Sequence, residues 1–370
     1  MNPELLFSLQ ATLIGGVLLL TLQNHSRLIQ LQVVIWTIAV VGIVWRFGVF
    51  YQSIDFYSND QRYYVQIVQT VIDEQSLPLD TYSLESLKLP YTGAAVLLAL
   101  TGVHPTLALK TVSLICLLLL SSAILREHQY KSFLAGLRLL YMTGCGAIGV
   151  FFSTLALRET MMMLFVFLFF KQKTLVCQVA LLVLIFMLRQ HLAIALVFAW
   201  VVSTFWNQWQ ATKRLGVFEL LVLTAIGSIL GRLTLLWSFS RSYDLDSSIM
   251  TDWQIRDVVK LASNFFGLQF LTNDPTNVNF SIGALLVLRL VFSETVLIPS
   301  LFVIRSIGHR KPLSRRHQLL LLAFSFYTAI AINTVFNSFR QNIPLIACMG
   351  LVSLESRLCS RKVGKMGQFV

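Results

Sequence analysis

Asn59-Asp60-Gln61-Arg62-Tyr63-Tyr64 lies inside an acid-rich stretch, Asp55 to Lys88, that interrupts an otherwise largely apolar sequence. At membrane depth, polar backbone and carboxylates are tolerated only in water or in a protein-lined cavity, so this stretch reads as an aqueous loop. Around it, runs of about twenty apolar residues recur, each long enough to cross a bilayer. The 370 residues are 56% hydrophobic and 12% charged, with a mean hydropathy of +0.72. That is far more apolar than a soluble domain. The expected fold is all-α, a polytopic integral membrane protein.

A formal net charge of +12 would point to nucleic acid in a soluble chain. Here the basic residues collect in short linkers between apolar runs, where they set orientation, and no basic patch is interleaved with exposed aromatics. Nucleic-acid binding is therefore not expected. Cys116, Cys145, Cys177, Cys348 and Cys359 are scattered, odd in number and mostly inside apolar runs. They lack the paired spacing of a zinc site or a disulfide framework and read as core packing. Residues 5 to 22 lack a basic leader and a small-residue cleavage site, so they are expected to be a retained span.

Basic linkers at Arg357 to Lys365, Arg305 to Arg316, Lys213-Arg214, Lys171 to Lys173 and Arg126 to Lys131 alternate with linkers that lack such clusters. By the positive-inside rule these are cytoplasmic turns, and the C-terminus is cytoplasmic. The spans between them run over 108 to 125, 132 to 153, 156 to 171, 174 to 188, 191 to 206, 216 to 238, 280 to 304, 317 to 337 and 342 to 356. If the acidic stretch is outside and Arg126 to Lys131 inside, only an odd number of crossings fits between them. Residues 90 to 103 are about a dozen apolar residues bracketed by Pro90, Gly102 and Pro105, the length of a re-entrant or interfacial helix, so this segment is expected not to cross. The total is about eleven spans with an external N-terminus. Residues 1–370 then form a single transmembrane domain with two external regions, 52–107 and 239–279, and no internal repeat.

From Asp60 onward, Tyr63, Tyr64, Ile67, Val68, Val71 and Ile72 recur at three- and four-residue intervals with polar residues between them, which predicts an amphipathic helix. Ser58 or Asn59 is a natural N-cap, and Asp60 falls in the first turn, beside the positive helix end where a carboxylate is favoured. Such a group suits a general base or a metal ligand; it also serves simply to start a helix. Arg158 and Glu159 occupy a short outward turn where a helix re-enters the membrane, either as a working pair or as mutual neutralisation. Arg189, with His191 beside it, lies in the next external turn, and Arg340, followed by Pro344, in the last. A guanidinium presents a planar fork of donors matched to phosphate, so Arg158, Arg189 and Arg340 together would make a pocket for a lipid-linked phosphate, whereas any one alone fits interfacial snorkelling. His191 by itself fits a hydrogen-bonded packing residue equally well. Arg46, Arg138, Arg232, Arg289 and Glu294 are further intramembrane charges with no assigned role. In the second external region Asp244, Asp246, Asp252, Trp253 and Asp257 combine carboxylates with an aromatic, as an acceptor site or an ordinary solvated loop would.

The order of these elements resembles the GT-C class of membrane glycosyltransferases, multi-spanning enzymes that use polyprenyl-phosphate sugars. Asp60 with Tyr63 and Tyr64, then Leu89-Pro90-Tyr91 and Thr101-Gly102-Val103, then Leu157-Arg158-Glu159, and finally Arg340 to Pro344 follow the order of that class over most of residues 45 to 355. The sequence departs from the class where Gln61 replaces the second acid of the usual pair, and where an extracytoplasmic C-terminal domain would follow. Similar patterns occur in polysaccharide polymerases of the Wzy and EpsG kinds. The resemblance implies a bacterial plasma-membrane enzyme of surface polysaccharide or glycoconjugate synthesis, acting extracytoplasmically on a polyprenyl-phosphate-linked sugar and a saccharide, lipid or protein acceptor. With it, Asp60 and Glu159 are the expected catalytic residues and Tyr63, Tyr64, Arg158 and Arg340 expected substrate contacts, to which the external turns and the first loop add Arg62, Arg189 and His191. Some members need Mg²⁺ or Mn²⁺; here Asp60 is the sole candidate ligand. The alternatives are a repeat-unit polymerase or ligase, and a transporter or flippase of lipid-linked saccharide. In a chain stripped of its five cysteines, Asp60→Cys should react with a membrane-impermeant thiol reagent in intact cells. Labelling only after permeabilisation would put the acidic stretch in the cytosol and end this topology.

Overall fold

The computed structural model describes residues 27–50, 59–76, 87–128, 133–153 and 155–209, with positions 222, 226, 322–323 and 343–345. Among the described residues all regular structure is helical: α1 (Arg27–Phe50), α2 (Asn59–Glu74), α3 (Leu89–Ala99), α4 (Pro105–His128), α5 (Phe133–Met142), α6 (Ala147–Ser153), α7 (Glu159–Lys171), α8 (Leu175–Leu188) and α9 (Gln190–Trp209). The chain divides into two compact units. The first holds α1 to α8, and the second begins at Arg189.

α4 organises the first unit because its sequence is apolar on every side, and such a helix is buried on every side. Leu109, Ser121, Leu118 and Ala108 point in different directions around its axis and all are buried. Around it pack α1, α2, α3, α5, α6 and α7. Gly102 takes a positive φ of 90° to turn the chain out of α3, a conformation that costs glycine nothing, and Pro105 then opens α4 where its missing N–H would have no partner. Of the hydroxyls inside α4, those of Thr111, Ser113 and Ser121 find acceptors in protein, whereas the buried Ser122 Oγ has no partner. Thr111 donates to the carbonyl of Leu107 and Ser121 to that of Leu117, and Ser121 also accepts from the indole N–H of Trp36 on α1.

Among the described residues one helix, Pro105–Arg126, is long and apolar enough to cross a membrane; Gln30–Gly42, Leu89–Ala99, Leu175–Leu188 and Gln190–Phe205 are shorter apolar helices. α3, the segment expected not to cross, has 11 residues and is about 17 Å long, roughly half the hydrocarbon thickness. Two expected spans need correction. The one placed at 132 to 153 is broken into α5 and α6 by a turn at Thr143–Gly146, where Gly144 adopts φ 73°. The one placed at 156 to 171 contributes helix only from Glu159, because Leu155 to Arg158 turn the chain before α7 begins. Of the cysteines read as packing residues, Cys116 and Cys145 are buried, but Cys177 is exposed on α8. The expected spans at 5 to 22 and beyond α9, and the external region 239–279, lie outside the described residues.

The outward faces of two helices are apolar. On α1, Leu31, Val34, Ile35 and Ile38 form a stripe at helical spacing, and on α8 Val176, Val179, Val183 and Phe186 form another; all are between 42% and 79% exposed.

α6 lies so close to α4 that a Cβ on Gly149 would stand 2.6 Å from Leu117 Cδ1 and 2.8 Å from the Gly144 carbonyl oxygen. A backbone oxygen cannot step aside as a side-chain tip can. Gly149→Ala should therefore lower the unfolding free energy in detergent by about 1–3 kcal/mol. Gly93, whose added Cβ meets nothing within 4 Å, is the control: Gly93→Ala should be neutral or stabilising by up to about 1 kcal/mol.

Candidate active site

The site grows from α2. Its sequence puts Gln61, Tyr64, Ile67 and Val68 on one face and Arg62, Gln66, Gln69, Asp73 and Glu74 on the other, and the fold buries the first set and exposes the second. The buried face packs on α3 and α4. Asp60 lies in the first turn, half-buried, one turn before Tyr64 on the same side.

Tyr64 is where three elements meet. Its ring stands edge-on to Tyr91 of α3, with centroids 5.6 Å apart and planes at 79°. The Arg158 guanidinium lies 5.7 Å from the centre of the same ring, and Tyr63 flanks it at 5.9 Å. Ring contacts of this kind contribute about 1 kcal/mol each. They orient the groups more than they hold them, and the holding comes from the buried polar chain beneath.

That chain begins at Tyr91, which is fully buried. Its hydroxyl lies 3.0 Å from Ser113 Oγ and 3.1 Å from the Leu109 carbonyl oxygen. Ser113 has one proton, and it donates that proton to the Leu157 carbonyl at 2.7 Å. Tyr91 likewise has one proton, and the Leu109 carbonyl, which can only accept, lies 3.1 Å from it, so the contact between the two hydroxyl oxygens shares a proton that a carbonyl also claims. The Tyr91 O–H donates to the carbonyl of Leu109, the Ser113 Oγ lies within hydrogen-bond distance of the same phenol, and the Ser113 O–H donates to the carbonyl of Leu157, the residue before Arg158. One relay thus ties α3 and α4 to the turn that carries Arg158 and Glu159. Arg158 is the N-cap of α7 and is half-buried; Glu159 is the first residue of that helix and is fully buried. A carboxylate at a helix N-terminus interacts favourably with the backbone N–H groups there.

Burial holds the Tyr91 phenol well above its ordinary pKa of about 10; the Ser113 hydrogen bond works the other way, and the charge of Glu159 and the nearby Tyr64 add to the rise. The phenol is thus kept as a donor in the relay.

Of the residues expected to form the site, Tyr64 and Arg158 are in contact, with Tyr63 beside them and Asp60 one turn away; Glu159 is close enough for its charge to act on Tyr91. Arg62 is exposed on the opposite side of α2 from Tyr64. Arg189 and His191, both half-buried, belong to the second compact unit. Arg340 lies outside the described residues. Ser113 was not foreseen as a site residue. Its signal in the sequence is a hydroxyl two residues after Thr111 at the head of an apolar run, which resembles an ordinary helix serine until its partner across 44 residues is known. Among the described residues no group of three or more His, Cys, Asp or Glu gathers where it could hold a metal ion. No family model, no curated protein and no solved structure matches the chain.

Below pH 10 the Tyr91 phenol is neutral whether the chain is folded or not. Above that the unfolded chain loses the proton while the folded one keeps it, so stability falls as pH rises. Between about pH 9 and 11 the unfolding temperature of the wild type should drop more steeply than that of Tyr91→Phe. Parallel curves would mean a phenol in contact with water. At neutral pH, Ser113→Ala should cost about 1–2 kcal/mol, and adding Tyr91→Phe to it should cost less than Tyr91→Phe alone.

Proposed function

We propose that the chain is a polytopic membrane glycosyltransferase of about eleven spans, acting at the extracytoplasmic face on a sugar linked to a polyprenyl phosphate. The observation that carries this reading is the Tyr64 junction: the guanidinium of Arg158 against an aromatic ring, one helical turn from the carboxylate of Asp60, at the edge of a core from which water is excluded. The membrane setting is supported by the apolar stripes on α1 and α8, which a soluble protein would bury or pair.

In the reaction, Asp60 takes the proton from an acceptor hydroxyl. The acceptor oxygen attacks the anomeric carbon, the bond from that carbon to the phosphate oxygen breaks, and the electron pair leaves on the lipid phosphate. Arg158 stabilises the charge that develops there, and the sequence offers Arg189 and Arg340 as further arginines suited to phosphate. Glu159, buried beside Tyr91, orients Arg158 through the turn they share. Arg62, exposed on α2, would engage the lipid phosphate only from outside the buried core.

A second reading draws on the break between α5 and α6. Discontinuous helices line substrate paths in transporters, and transport of an unmodified lipid-linked saccharide would use one. Flux without covalent change would favour it. Product length separates single transfer from polymerisation, one added residue against a ladder.

In protein that still inserts and folds, Asp60→Asn and Arg158→Ala should each reduce transfer from a polyprenyl-phosphate sugar by about 100-fold or more, and Arg340→Ala by a comparable factor. Wild-type transfer in all three would remove the assignment.

A further inference from the structure

The helix that carries Arg158 starts on a residue that cannot cap it. Arg158 is the N-cap of α7 and its side chain makes no capping hydrogen bond; a guanidinium holds only donors, and a helix start calls for an acceptor. The residue before it, Leu157, is fully buried, so its carbonyl oxygen cannot turn to water and needs a donor in protein. Ser113, on α4, supplies that donor at 2.7 Å across 44 residues. The consequence lies in the peptide bond. One rigid plane contains the Leu157 oxygen, the Arg158 nitrogen and the Arg158 Cα, so a hydroxyl that fixes the oxygen fixes where the Arg158 backbone begins. On the far side of the residue, the Arg158 carbonyl accepts from the Met162 N–H at 3.0 Å. Between these two anchors Arg158 rests at φ −80° and ψ −1°, and its guanidinium stands 5.7 Å from the centre of the Tyr64 ring.

We propose that Ser113 is a positioning residue for glycosyl transfer: through the Leu157 carbonyl it aims Arg158 at the lipid phosphate, and so sets the affinity for that phosphate without touching it. The inference rests on the glycosyl-transfer reading and adds to it a residue of α4, a helix to which that reading gives no part in the reaction. The other bonded hydroxyls of α4 show the difference. Thr111 and Ser121 return their protons to carbonyls of α4 itself, at Leu107 and Leu117, whereas Ser113 sends its proton to the turn before α7. With alanine at 113 the buried Leu157 oxygen loses this donor, and a buried carbonyl left short of a donor rotates toward another. Rotation of that peptide carries the Arg158 Cα with it. A guanidinium meets phosphate through a planar fork and is sensitive to such a tilt, and a shift of about 1 Å at a group that positions a substrate costs as much as about 100-fold in rate.

The test uses the full chain in detergent, with Ser113→Ala, Arg158→Ala, the two together, and Ser121→Ala. Affinity is measured for polyprenyl phosphate, and unfolding temperature is measured without ligand. Ser113→Ala removes one oxygen and no carbon, so the packing of α4 is kept. Ser121→Ala is the control: it takes from the same helix a buried hydroxyl that serves Trp36 and Leu117 instead, and so lowers stability without reaching the Leu157 turn. Ser113→Ala should weaken binding by about fivefold or more, Arg158→Ala by at least as much, and the double variant no further than Arg158→Ala alone. Ser121→Ala should stay within about twofold of the wild type while unfolding at a lower temperature. A serine that only stabilises the fold does not give this pattern, because lost stability alone leaves the binding of the folded protein unchanged. Wild-type affinity in Ser113→Ala overturns the inference. So does a loss that keeps its full size when Arg158 is already alanine, an equal loss in Ser121→Ala, or wild-type affinity in Arg158→Ala. In each of these outcomes the wild type still binds polyprenyl phosphate, which separates them from a wild type that binds none; that result overturns the glycosyl-transfer reading and the inference together.

Discussion

The proton of Ser113 is the point on which the first unit turns. α4 is apolar on all sides and buried on most of them, so a hydroxyl in its middle cannot reach water and must find an acceptor in protein. Thr111 and Ser121 on the same helix settle for the carbonyl one turn back. Ser113 instead donates across 44 residues to Leu157, and its oxygen lies 3.0 Å from the Tyr91 hydroxyl. A polar pair in a dry interior has few alternative partners, and this makes the relay specific where apolar packing alone would tolerate sliding. The register of α7 against α3 and α4, and with it the position of Arg158 and Glu159, follows from that pairing.

Above the relay the site is built from weak contacts in a favourable setting. Tyr64 touches Tyr91 on one side and Arg158 on another, and neither contact would secure a geometry in water. They act here because the ring is almost fully buried and cannot be solvated in any other position. The two first turns that meet at this ring, those of α2 and α7, each supply one carboxylate and one buried polar group.

Part of this was legible in the linear sequence, because some patterns carry their own physics. The three- and four-residue spacing from Asp60 to Ile72 predicts α2 and its buried face, and the fold follows it, with Gln61 joining that face. The bracketing of residues 90 to 103 by Pro90 and Gly102 predicts a short helix, and α3 is one. The break between α5 and α6 was not legible from hydropathy, since Thr143-Gly144-Cys145-Gly146 lowers the apolar character of the run too little to interrupt a span. What breaks the helix is the left-handed backbone at Gly144 and the close approach of Gly149 to Leu117, and both are properties of packing.

Composition and periodicity by themselves determined that this chain is helical, that its polar residues are confined to a few stretches, and that Asp60 begins an amphipathic helix. These are local consequences of burying apolar side chains and of helix geometry, and need no knowledge of neighbours. Only the tertiary structure decided that Tyr64 receives Arg158, that Ser113 answers Tyr91, and that Gln61 and Thr160 are buried without partners. Pairings between residues far apart in the chain depend on which helix faces meet, and that is chosen by the packing of the whole unit around α4 rather than by any short run of sequence.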